Sequence, residues 1–199
     1  DRGMGAVVGQ DPEIACMVVE WVMEAATLPV ITKLTPNVHS VVPTARACIR
    51  AGTNGLSLIN TIQSVTGIDL DTFVPNPNVA GQSVYGGYCG PAVKPIALKM
   101  LSTLGHDPLT RTVPISGIGG ITTWKDAVEF MLLGASNVQI CTAAMRYGFR
   151  IIEDLCSGME NWMKEKGFSR LEDFIGLSVP KITEWEKLDL NYHIVAHID

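Results

Sequence analysis

Behind the triplet Asp11-Pro12-Glu13, the residues Ile14, Val18, Trp21, Val22 and Ala25 recur at helical spacing. The acid and proline are a helix start, and the spacing predicts one buried stripe. Leu28-Pro29 breaks that helix, and residues 29–34 then form a short apolar run stopped by Thr35-Pro36-Asn37. Such a run between turn residues predicts a strand buried on both faces. The same alternation continues, with helices expected over 40–51, 92–104 and 123–133 and strands over 55–60, 113–117 and 137–141. Pro95 must fall in the first turn of its helix, because deeper in it would remove a hydrogen bond. A long amphipathic helix over 148–166 and a shorter one over 171–175 follow, and the tail from Ser178 has little pattern.

Short apolar strands alternating with helices predict a parallel α/β fold. Four strands are half of an eight-stranded barrel, whose complete form takes about 250 residues. An open doubly wound sheet satisfies the same periodicity. The run 61–90 breaks the rhythm, being rich in Gly, Pro, Asn and Ser, and a connection of this length usually carries function.

Composition narrows the classes. With 47% hydrophobic and 18% charged residues in 199, the chain is globular in composition. A net charge of −5 gives no support for nucleic-acid binding. No apolar run approaches the roughly 20 residues that span a bilayer. The five cysteines are scattered without a C-x-x-C pair, which argues against a disulfide framework or a metal cluster built from this chain and for a reducing, cytoplasmic setting. The chain opens at Asp1-Arg2-Gly3-Met4-Gly5 without an initiator Met, so a fragment is expected.

In either α/β architecture, ligands bind at the carboxyl ends of the strands. Lys33 falls at one such end among apolar neighbours, where an ammonium should face an anion or lose its proton unless its head reaches water. Two functional readings follow, a Schiff-base nucleophile and a cation that balances a bound anion. The segment Ser116-Gly117-Ile118-Gly119-Gly120-Ile121-Thr122-Thr123 passes from strand through a glycine turn to a helix start, and Cys141-Thr142-Ala143-Ala144 repeats the arrangement. Two neighbouring turns of this kind predict a phosphate site. Asn60-Thr61 offers donors and acceptors that could match a polar ring, or merely cap a loop. The glycines of Gly3-Met4-Gly5-Ala6-Val7-Val8-Gly9 lack a preceding strand, which excludes a dinucleotide fingerprint. His193 and His197 lie in a patternless tail, and no metal site is expected there.

Lys33-Leu34-Thr35-Pro36-Asn37, Ile59-Asn60-Thr61, Tyr85-Gly86-Gly87-Tyr88-Cys89-Gly90, Ile118-Gly119-Gly120 and Gln139-Ile140-Cys141-Thr142 occur in order. As an ensemble they closely resemble the FMN-binding barrel of the dihydropyrimidine dehydrogenase family, in its bacterial flavin and iron–sulfur subunit, which is related to the dihydroorotate dehydrogenases. The resemblance implies the second half of an FMN-binding (β/α)8 TIM barrel over 1–177, with 178–199 a tail leading toward an iron–sulfur module outside the chain. It implies that Lys33 lies against the flavin pyrimidine edge. Gly90, Ile118, Gly119 and Gly120 would line the ribityl and phosphate region, Cys141 and Thr142 would complete the phosphate grip, and Asn60 and Thr61 would bind uracil or thymine. The family's proton-donating cysteine would precede Asp1. The first half of the barrel, [4Fe-4S] clusters and an FAD- and NAD-binding partner subunit would complete an oligomeric enzyme, leaving this chain inactive alone. Three rival readings remain: a dihydroorotate dehydrogenase, a Schiff-base aldolase using Lys33, and a phosphate-binding domain without catalysis.

Overall fold

Asp11 opens the first helix as expected, its Oδ1 accepting the Glu13 and Ile14 amides at 2.8 and 3.2 Å. The structure is a computed structural model that describes residues 8–189. The glycines of residues 3–7 and both tail histidines lie outside the described residues. Helix α1 (Pro12–Ala25) leads to strand β1 (Ile31–Lys33), then α2 (Val42–Arg50) and β2 (Gly55–Leu58). An excursion follows, made of β3 (Ile62–Ser64), β4 (Gly67–Ile68), β5 (Pro75–Asn76), β6 (Asn78–Val79), β7 (Gln82–Ser83) and β8 (Gly86–Tyr88). The alternation resumes with α3 (Lys94–His106), β9 (Ile115–Ile118), α4 (Trp124–Leu132), β10 (Asn137–Gln139), α5 (Thr142–Tyr147) and α6 (Ile151–Lys166).

Strands β1, β2, β9 and β10 form one parallel sheet in that order. Four parallel strands with intervening helices are an α/β fold with the arrangement of part of a TIM barrel. The register aligns Lys33, Ser57, Ser116 and Asn137 as one transverse row. The two faces of the sheet therefore differ. Leu56, Leu58 and Ile115 point to the helices and are buried with Ala45 and Cys48 of α2, Ala97 and Leu101 of α3, and Phe130 of α4. The opposite face carries the polar row.

The buried stripe of α1 is turned by about one position from the expected one. Ala15 and Val19 are buried, whereas Trp21 and Val22 are exposed. Strand β1 is an edge of the sheet, pairing only with β2 among the described residues. Ile31 is accordingly 56% exposed, and the expectation of a strand covered on both faces does not hold. The expected helix over 148–166 is α6, and a short helix that was not expected, α5, precedes it, the two separated at Gly148 (φ +75). The expected helix over 171–175 is one 3₁₀ turn, Leu171–Asp173. Beyond it the chain is docked to the barrel: Ser178 N donates to Leu132 O at 2.9 Å, and His106 Nε2 lies 3.2 Å from Ile182 O. Phe174 anchors this corner, fully buried between Trp162 and Phe168 with ring centroids 5.1 and 5.6 Å away.

Nearly half of the region 61–90 is ordered into three antiparallel ladders, β3–β8, β4–β5 and β6–β7. Each is only two or three pairs long, which is too short for an alternating pattern to be visible in the sequence. No helix among the described residues is long and apolar enough to cross a membrane.

Candidate functional site

The carboxyl ends of all four parallel strands open onto one cleft. Lys33 reaches it from β1, Asn60 and Thr61 from the end of β2, Ile118, Gly119 and Gly120 from β9, and Cys141 and Thr142 from β10. Gly90 closes the excursion against the same cleft. The structure thus brings all nine expected site residues together. Lys33, Asn60 and Thr61 also line an adjoining cavity, shared with Asn37, Gln63 and Tyr85. Lys33 is exposed, and its side chain makes no hydrogen bond or ion pair among the described residues. It is the sole charged residue among those lining the two cavities.

The glycine turn after β9 is demanded by sterics. Gly119 and Gly120 have φ of +139° and +80°, a region that side chains other than glycine rarely adopt. A Cβ on Gly120 would lie 2.8 Å from Gly90 O and 3.0 Å from Lys94 Cβ, and one on Gly119 would lie 2.9 Å from Ala97 Cβ. These glycines therefore let the turn nest against the start of α3.

The helix start beyond that turn is not free to hold an anion. Asp126 Oδ2 accepts the Thr122 and Thr123 amides at 2.9 and 2.7 Å and both threonine hydroxyls at 3.0 Å. Its Oδ1 pairs with Lys94 Nζ at 2.6 Å, and Lys94 also meets Glu129 at 2.8 Å. Burial alone would push the Asp126 carboxyl up, but the Lys94 and threonine contacts outweigh it and hold the group far below the usual carboxylate range. The expected anion cradle is thereby reduced to the glycine backbone and the β10–α5 turn.

Asn37 ties the loop after β1 to the start of the excursion. Its Nδ2 donates to Thr61 O at 3.0 Å and to Thr35 Oγ1 at 3.1 Å, while its Oδ1 accepts the Gln63 amide at 2.9 Å. Asn60 Oδ1 accepts the Thr61 amide at 2.8 Å. The Asn60 amide nitrogen and the Thr61 hydroxyl keep no partner among the described residues, so both can donate into the cleft.

Several lining residues were not anticipated: Tyr88, Cys89 and Gln139. Thr142 Oγ1 donates to Cys89 Sγ at 3.4 Å, joining the end of the excursion to α5. Gln139 Nε2 donates to Ser57 Oγ at 2.9 Å and Ser116 Oγ at 2.8 Å. The polar members Ser57, Ser116 and Gln139 interrupting apolar strands were the available signal, since a polar residue every second position marks a face that meets something other than helices. Among the described residues, no three His, Cys, Asp or Glu side chains are grouped to hold a metal ion.

The sequence pattern of the family described as dihydroorotate dehydrogenase matches residues 3–163, and the chain belongs to that family. It is 43% identical, over its full length, to NAD-dependent dihydropyrimidine dehydrogenase subunit PreA of Escherichia coli K12, covering 48% of that protein. It is 41% identical to a chloroplastic dihydropyrimidine dehydrogenase (NADP(+)) of Arabidopsis thaliana, with 92% of the chain matching 44% of that protein. It is 40% identical to the catalytic subunit of dihydroorotate dehydrogenase B (NAD(+)) of Pyrococcus horikoshii, with 89% of the chain matching 56% of that subunit. The chain spans about half the length of the curated relatives it matches.

Proposed function

We propose that this chain supplies the strand ends of an FMN and pyrimidine site in an oxidoreductase that interconverts uracil or thymine with its 5,6-dihydro form. The observation that carries the proposal is the convergence of Lys33, Asn60, Thr61, the Gly119–Gly120 backbone and the β10–α5 turn on one cleft. The residues fit the cofactor. The cleft wall at Gly90, Gly119 and Gly120 carries no side chain, so its backbone could approach a ribityl phosphate closely, with Thr142 and the Cys141 turn also lining the cleft. Bound there, FMN would supply two-electron redox chemistry.

The protein's own groups have separable roles. Lys33 brings a fixed positive charge to a cleft otherwise without charged lining residues, where it would stabilise negative charge on a pyrimidinedione edge. The Asn60 amide and Thr61 hydroxyl would donate to ring carbonyls and set the ring's orientation. Proton transfer to the ring is assigned to a cysteine outside residues 1–199, so this chain alone is expected to be inactive.

A substrate bearing a carboxylate, such as dihydroorotate, would need a second cation or several amide donors. Lys33 being the sole charged lining residue among the described residues favours the neutral ring. The family's redox relatives leave the Schiff-base aldolase and the non-catalytic phosphate binder without comparable support. The relatives' names and the resemblance further support NAD(H) as ultimate electron partner, reached through [4Fe-4S] clusters and an FAD-binding subunit in a cytoplasmic oligomer. In that assembly, residues 178–199 would lead from the barrel to the iron–sulfur module. The test is the full-length gene product, purified and assayed with uracil, thymine and dihydroorotate. Bound flavin absorbing near about 450 nm with turnover of the neutral pyrimidines is expected. A colourless protein, or turnover confined to dihydroorotate, would overturn the proposal.

A further inference from the structure

Ser57 and Ser116 face each other across adjacent strands, 2% and 3% exposed. Their hydroxyls are too deep to serve a ligand directly, yet both are bonded to the side-chain amide of Gln139, which does line the cleft. Ser116 Oγ is in turn bonded to Asn137 Oδ1 on the neighbouring strand. With Ser116 donating to Asn137, its oxygen must accept from the Gln139 NH₂ group, and Ser57 takes the second hydrogen of that group. Both donors of Gln139 are therefore spent on the buried serines. Its Oε1 takes no hydrogen bond among the described residues.

We infer that Gln139 presents a fixed carbonyl acceptor to the cleft, which takes the imide N–H of a bound pyrimidinedione edge. This rests on the flavin and pyrimidine reading above. The O=C–NH–C=O edge is common to the isoalloxazine and to uracil, so the acceptor could serve either. Lys33 and Ser57 are register partners on the same face, so a cation for the ring's carbonyl side and an acceptor for its N–H both arise from this polar face. Ser57 and Ser116 are positioning residues, because they stop the amide from rotating its NH₂ toward the ligand. An NH₂ there would oppose the ligand's N–H donor and lose the hydrogen bond.

The experiment uses the full-length protein and the variants Gln139→Leu and Ser57→Ala/Ser116→Ala, with two readouts. FMN is titrated into apoprotein by fluorescence quenching, and uracil is titrated into FMN-loaded protein by flavin absorbance. If the acceptor serves the cofactor, Gln139→Leu raises the FMN dissociation constant roughly three- to tenfold and leaves uracil unchanged. If it serves the substrate, uracil binding weakens by that factor and FMN binding does not. The serine double variant changes the same constant in the same direction by less, and carries the test by itself should Gln139→Leu not fold. Wild-type constants for both ligands in Gln139→Leu, or in a folded serine double variant if Gln139→Leu does not fold, overturn the inference. Failure of the wild-type protein to bind FMN at all overturns the functional reading instead.

Discussion

Lys94 Nζ lies 2.6 Å from Asp126 Oδ1, joining the first turn of α3 to the first turn of α4 across the glycine turn that borders the cleft. Asp126 closes its own helix with four threonine contacts while Lys94 neutralises it. The two groups lock the far end of the Gly119–Gly120 turn without entering the cleft. In the native state Asp126 stays ionised to lower pH than in the unfolded chain. Its stabilisation is therefore complete above the unfolded carboxylate value of about 3.9 and is lost as pH falls through the lower native value. Asp126→Asn should cost about 2–3 kcal/mol at pH 7, from a lost cap and charged hydrogen bonds. Thermal unfolding of both proteins between pH 7 and pH 2.5 checks this; the gap must narrow in acid, and a gap that widens would contradict the assignment.

Gly120→Ala and Gly81→Ala form a matched pair. Both positions have φ near +80°, but a Cβ at Gly81 meets nothing within 4 Å whereas one at Gly120 meets Gly90 O at 2.8 Å. Gly81→Ala should cost about 1 kcal/mol from backbone strain alone. Gly120→Ala should cost at least twice as much and also weaken FMN binding, because the turn must shift away from α3. Urea midpoints and FMN titrations read both effects. Equal losses in the two variants would mean that the close approach to Gly90 is unimportant.

Lys33→Met should separate function from stability. The residue is exposed and unpaired among the described residues, so its removal should shift the unfolding free energy by less than about 0.5 kcal/mol. Turnover of uracil by the full-length protein should nevertheless fall at least roughly 100-fold, the scale of losing one electrostatic contact to developing charge. A variant that retains wild-type turnover would remove Lys33 from the mechanism.

Asn37→Ala should loosen the excursion. The side chain makes hydrogen bonds to both Thr61 and Gln63, and their loss should cost about 1–2 kcal/mol. Amide hydrogen exchange at residues 61–64 should accelerate, with weaker uracil binding, while the amides of α4 and α6 keep wild-type protection. Faster exchange throughout the protein would point instead to general destabilisation.

The strands and helices of the sheet region were legible from their apolar periodicity, although the buried stripe of α1 is turned and β1 is partly exposed, and the capping of α1 by Asp11 was legible in three residues. The residues at the strand ends were legible as chemistry because lysine, paired glycines and an Asn-Thr pair are costly or unnecessary in buried strands. Gln139 was hidden because it counted as one more member of an apolar run, and Asp126 because a carboxylate in a first helical turn is ordinary.

Local rules, then, determined the order of the sheet strands and their helices, the α/β class and the identity of eight residues at the cleft, Gly90 having come from the family resemblance. They could not determine that β1 pairs only with β2 among the described residues, that Ser57 and Ser116 turn toward Gln139, or that the start of α4 is already filled by its own carboxylate. Those outcomes depend on register between strands far apart in the chain and on which side chain arrives first at a shared donor. Both are properties of the folded neighbourhood, and no window of consecutive residues contains them.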